Sequence, residues 1–128
     1  MRDPRPGLSW SRARVVRRHR YGTWMASRAW LDFRAHWRDT FVAVFGVEPT
    51  CAACGRCWTL RNGDLHHRNY DRLGHERFDD LIPLCRTCHK QIHRILECTP
   101  AWRRMGRAQA SDVIVARLRA RANKRGGR

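Results

Sequence analysis

Two C-x-x-C pairs, Cys51-Ala-Ala-Cys54 and Cys85-Arg-Thr-Cys88, stand about thirty residues apart in a chain of 128 residues. Cysteines two residues apart can turn their sulfurs onto one ion, and a doubled pair reads as a four-thiolate zinc site. A chain of this size gains from such a staple, because a small core alone leaves little margin of stability. The segment between the pairs is too long for a turn and must be a structured excursion. Cys57 and Cys98 fall outside both pairs. They read as spare, with Cys57 a competitor for Cys54. The N-terminus is basic with no apolar stretch behind it, so it does not read as a secretory signal. The expected compartment is therefore the reducing cytoplasm, where disulfides are disfavoured.

Charge points to the partner. Lys and Arg total 27 against 11 acids, a net charge of +16, which suits a polyanion. Residues 1–20 hold seven Arg and one acid, residues 101–128 nine basic residues and one acid, while residues 21–100 are nearly neutral. This divides the chain into a basic, mobile N-terminal tail (1–20), a chemistry-bearing domain (21–100) and a basic C-terminal helix and tail (101–128). Basic flanks suit sequence-independent phosphate contact; a merely solubilising role is the alternative. No apolar run approaches the roughly 20 residues of a membrane-spanning helix, so no membrane partner is expected. A hydrophobic fraction of 42% with six Trp argues against wholesale disorder.

Periodicity predicts a helix over 27–45, with Ser27 as N-cap and Trp30, Phe33, Trp37, Phe41 and Val44 on one face, stopped by Gly46 and Pro49. Trp58, Thr59 and Leu60 suit a short strand. Arg61-Asn62-Gly63-Asp64 is a turn signal, and Leu65-His66-His67 suits a second strand. Neighbours on a strand face opposite ways, so His66 and His67 serve one site only if the strand ends or bends there. Residues 68–80 form a loop of about a dozen residues, a length more often functional than idle. From about Arg86 a helix is expected that places His89 and His93 at i and i+4 on one face, able to share a metal. Residues 111–122 read as a further helix capped by Ser111, with Val113, Ile114, Val115 and Leu118 as its apolar residues.

The ordered run Cys51-x-x-Cys54, Leu65-His66-His67, Tyr70, Arg72-Leu73-Gly74, Glu76, Asp80-Leu81 and Leu84-Cys85-x-x-Cys88-His89-x-x-x-His93 resembles an HNH endonuclease of the zinc-stapled bacterial and phage type. The resemblance covers residues 51–93. It implies an α+β fold: a small, treble-clef-like ββα-metal finger preceded by one helix and followed by another. It implies that His67 is the general base, that His66 and His89 hold a divalent metal, and that His93 is a third ligand or a phosphate or structural contact. The middle Asn of the family name falls at Asp80, a departure. Asp accepts the loop-locking hydrogen bond but cannot donate two amide hydrogens.

Under this resemblance the expected function is metal-dependent hydrolysis of DNA phosphodiester bonds, double-stranded DNA favoured, leaving a 5′-phosphate and a 3′-hydroxyl. Cys51, Cys54, Cys85 and Cys88 would hold structural Zn²⁺. The catalytic ion would be Mg²⁺ or Mn²⁺; an all-imidazole pocket also suits Ni²⁺ or Zn²⁺. Arg68, Arg72 and Arg94 are placed in sequence to contact flanking phosphates or to be ordinary surface charges. Tyr70 and Glu76 are expected to brace the loop. No base-reading helix is identifiable, so specificity is expected to be weak or lent by a protein partner. The alternative is a catalytically inactive zinc-finger module, or a DNA-binding regulator working through its basic tails. Four histidines at these positions are hard to account for on that alternative.

Overall fold

In the computed structural model residues 19–126 are described. Residues 19–25 are helical (α1). α2, Arg28–Phe45, starts where the Ser27 hydroxyl accepts the Trp30 N–H and stops where Gly46 turns left-handed at φ 72°; both are expected of these residues. Two strands follow, β1 (Gly63–His67) and β2 (Leu81–Cys85). They pair antiparallel with His67 opposite Leu81 and Gly63 opposite Cys85. A short 3₁₀ turn, Phe78–Asp80, leads into β2. Then come α3 (Arg86–Cys98), α4 (Pro100–Met105) and α5 (Arg107–Gly126). The fold is thus mixed helix and small sheet, α+β. Among the described residues no helix is long and apolar enough to cross a membrane. The expected N-terminal tail, 1–20, lies outside the described residues except for its last two, as do residues 127 and 128.

The two-stranded sheet separates two apolar clusters, because alternate residues of each strand face opposite sides. On one side α2 packs Trp30 and Trp37 against Trp58, Leu65 and Leu81. On the other, Leu84 meets Ile92 and Leu96 of α3 and Ala110, Ile114 and Leu118 of α5. Those spacings, i, i+4 and i+8, are an amphipathic stripe. The same alternation sends His67 to the tryptophan side, where it stacks on Trp30 at 5.3 Å, and His66 to the α3–α5 side, 5.5 Å from the rings of His89 and His93.

Three expectations on elements fail, and one element is new. Residues 58–60 form no strand. Trp58 is instead buried in the α2 cluster, its indole N–H donating to the Asp64 carbonyl at 2.8 Å, so β1 begins at Gly63 and finds its partner in β2. A Cβ on Gly63 would lie 2.3 Å from the Trp58 ring; only glycine fits. Val44 is 63% exposed and lies off the buried face. α5 starts four residues before Ser111, which is buried inside the helix and caps nothing. α4 is an added element, opened by Pro100 at its first turn, a position proline favours.

Candidate metal centres and the histidine pair

The four sulfurs of Cys51, Cys54, Cys85 and Cys88 lie within 4.8 Å of one another. Cys54 Sγ and Cys85 Sγ are 3.8 Å apart, close to the roughly 3.8 Å edge of a tetrahedron with 2.3 Å zinc–sulfur bonds. The Cys54 N–H points to Cys51 Sγ at 3.5 Å and the Cys88 N–H to Cys85 Sγ at 3.4 Å, donors that favour thiolates. Burial pushes the Cys51 thiol up, but the backbone N–H groups of Cys54, Cys85 and Ala53 outweigh it and bring it to about 7. This group can hold a zinc ion. Cys57 and Cys98 are exposed and take no part in it, so Cys57 does not compete for Cys54.

The second group is His66, His89 and His93, one ring nitrogen of each within 4.8 Å of the others. One hydrogen bond decides a tautomer. His89 Nδ1 lies 3.0 Å from Asp64 Oδ2; the carboxylate can only accept, so Nδ1 donates and Nε2 keeps its lone pair. His93 Nε2 is 3.1 Å from that atom, so His93 either donates its Nε2–H to His89 or, as the Nδ1–H tautomer, shares a cation with it. Two ligands each about 2.1 Å from one ion stand roughly 3.0–3.4 Å apart. His66 Nε2 is 2.9 Å from Ser111 Oγ, and its Nδ1 is buried with no partner. A buried ring nitrogen without a partner is costly unless it ligates. Burial, reinforced by Arg107 and the neighbouring imidazoles, drives His66 down to about 2; burial likewise takes His93 to about 4. Both rings are therefore neutral near pH 7, the form that binds metals. Asp64 and Ser111 are the outer partners that orient such ligands. Neither position was identified from sequence.

His67 belongs to a different pocket. It is 2% exposed, and its Nε2 lies 2.7 Å from Glu76 Oε2. That carboxylate also accepts the Trp24 indole N–H at 2.7 Å and the Gly74 N–H at 3.0 Å. Glu76 therefore fixes the imidazole as the Nε2–H tautomer, with the lone pair on Nδ1, which is buried without a partner. Burial holds the His67 pKa below its ordinary value, partly offset by Glu76. Tyr21 of α1 and Tyr70 flank the ring at 5.8 and 5.5 Å. β1 ends at His67, which is how the two adjacent histidines reach one end of the strand from opposite faces.

The remaining residues singled out from sequence lie around this end. Asp80 is buried and accepts from Arg72 Nε and from the Arg77 N–H, each at 2.8 Å, with a second contact to Arg72 Nη2. It ties residues 72 and 77 of the loop together by accepting only. Arg68 pairs with Asp112 at 2.6 Å. Arg68 and Arg72 are thus engaged by carboxylates, whereas Arg94 is exposed on α3. Beside His89 a cavity of about 260 Å³ is lined by Asp64, Arg34, Arg86 and Trp30 among others.

The Arg72 guanidinium, more than burial opposes it, holds Asp80 down to about 2 from 3.8. A depressed carboxylate stabilises the fold fully above its unfolded value and loses that contribution as the pH falls through its folded one. Arg72→Ala is therefore expected to lower the melting temperature of the zinc-loaded protein by several degrees, equally at pH 5 and pH 8. A deficit that grows between those pH values would assign the stabilisation to a histidine instead.

Comparisons with family models, with curated proteins and with solved structures return no match for this chain.

Proposed function

We propose that the chain is a metal-dependent HNH-type endonuclease that hydrolyses DNA. One observation carries the reading. A three-imidazole cluster (His66, His89, His93) and a carboxylate-oriented histidine (His67) with a free lone pair stand on opposite faces of the end of one short strand. The strand, β2 and α3 form a ββα unit, and the four cysteines sit at its base.

Roles follow from the hydrogen bonds. His67 Nδ1 takes the proton of the attacking water. Glu76 keeps Nε2 protonated before the step and offsets the imidazolium charge after it, as an acidic partner does for a catalytic histidine. His66, His89 and His93 would hold the divalent ion, which when bound neutralises charge on the phosphate and on the departing 3′ oxygen. Asp64 and Ser111 keep the ligating rings aimed. Asp80, through Arg72 and the Arg77 N–H, holds the loop that carries Glu76. Cys51, Cys54, Cys85 and Cys88 would bind structural Zn²⁺ and anchor the start of α3.

The +16 charge supports a nucleic-acid substrate through counterion release. Removing residues 1–20, with seven Arg, is expected to weaken duplex binding and reduce the slope of log K against log salt by several units. An unchanged slope would make that segment a bystander. The reading itself is tested by plasmid nicking: relaxation of supercoiled DNA that stops in EDTA and resumes with Mg²⁺, Mn²⁺ or Ni²⁺. Tight binding without relaxation under any of these ions would contradict it.

A further inference from the structure

Arg107, the first residue of α5, belongs to no motif read from the sequence, yet its charge reaches both histidine pockets. Its Nε donates to the His67 carbonyl at 3.0 Å. Its guanidinium lies 4.5 Å over the Tyr70 ring. Those two contacts fix its plane. Nη2 is buried and has no hydrogen-bond partner. The charge of Arg107 depresses His66, His67 and His93 alike, so one guanidinium reaches both faces of the strand end. No acid is paired with it among the described ion pairs.

A buried guanidinium nitrogen left unpaired is costly, as are the orphaned Nδ1 atoms of His66 and His67. An oxyanion satisfies the guanidinium nitrogen, whereas the lone pair of His67 Nδ1 needs a donor such as water. Arginine is suited to this because its charge never titrates and its planar donors match phosphate oxygens. Tyr21 packs over this end of the strand. Its ring is edge-on to His67 and to Tyr70, at 5.8 and 5.3 Å, and burial raises its hydroxyl to about 12, with Arg107 pulling the other way.

We propose that Arg107 binds a non-bridging oxygen of the scissile phosphate through its free Nη2, and that the phosphate enters where Tyr21 now lies. The inference rests on the nuclease reading. It adds a phosphate-contacting residue from outside the HNH run.

The test uses the full chain, zinc-loaded, as wild type, Arg107→Ala, Arg107→Lys and Tyr21→Ala, with the Ni²⁺ affinity and melting temperature of each. Single-turnover plasmid nicking is expected to fall at least 100-fold in Arg107→Ala, with a substrate half-saturation within threefold of wild type. Millimolar guanidinium should restore at least tenfold, and Arg107→Lys should fall between. Tyr21→Ala should lower the half-saturation. A folded, Ni²⁺-binding Arg107→Ala that nicks within threefold of wild type, or that guanidinium fails to rescue, overturns the proposal. A Tyr21→Ala that binds substrate more weakly overturns the entry route. Failure of the nuclease reading is told apart by inorganic phosphate titrated into the Ni²⁺-loaded protein. If the wild type nicks no DNA but binds phosphate and Arg107→Ala does not, the anion site stands and the nuclease falls. If neither binds phosphate, the anion site falls as well.

Discussion

His67→Ala is expected to slow DNA cleavage by roughly 10²–10⁴-fold, the range a positioned proton acceptor supplies, while Ni²⁺ binding at His66, His89 and His93 is retained. The expectation follows from separation: His67 lies on the Trp30 face of β1, away from the ligand cluster. Because the ring is buried among Trp30, Tyr21 and Tyr70, alanine leaves a cavity that costs stability. His67→Gln, closer in volume, separates the two effects. It is expected to recover the melting temperature without the rate. Recovery of the rate by His67→Gln would deny a proton-transfer role, since an amide has no basic nitrogen at neutral pH. Glu76→Gln is the softer companion, because an amide no longer compels His67 to carry its proton on Nε2.

Cys85→Ser is expected to unfold the domain. Cys85 ends β2, caps α3 through its sulfur and supplies one of the four clustered sulfurs. The N–H of Cys88, a member of the same cluster, points at that sulfur. Zinc-coupled folding supplies on the order of 10 kcal/mol, comparable to the whole stability of a small domain. Loss of one ligand therefore removes most of the margin. The expected readout is loss of the cooperative melting transition together with a zinc content well below one per chain. Cys57→Ser, exposed and outside the cluster, is expected to change neither. A Cys85→Ser protein with native melting and full zinc would show that the four sulfurs are not a structural site.

The clustering of the cysteines and of His89 with His93 was legible because its signal is local. Cys51/Cys54 and Cys85/Cys88 are two apart, and His89 and His93 are one helical turn apart, so spacing alone brings each pair together. The ends of α2 were equally local, set by Ser27 and Gly46. What failed depends on contacts between distant residues. Trp58 reads as a strand residue until Trp37 of α2 and the Asp64 carbonyl claim it. Ser111 reads as a helix cap, yet its hydroxyl meets His66 across 45 positions. Glu76 was expected to brace a loop and does so at the Gly74 N–H, but its bond to His67 across nine positions carried no local signal. Arg107 carries no local signal at all: its meaning lies in the His67 carbonyl and the Tyr70 ring, 40 and 37 residues away in the chain. Outer partners of a site are chosen by packing, which a linear pattern does not contain.

The measurement that bears most directly on the account is plasmid nicking by wild type and His67→Gln side by side, first in EDTA, then with Mg²⁺, Mn²⁺, Ni²⁺ or Zn²⁺ restored. The expected result is no relaxation in EDTA, relaxation by wild type with at least one ion, and a variant slower by about 100-fold or more. Relaxation that persists in EDTA, or that proceeds equally in both proteins, would contradict it.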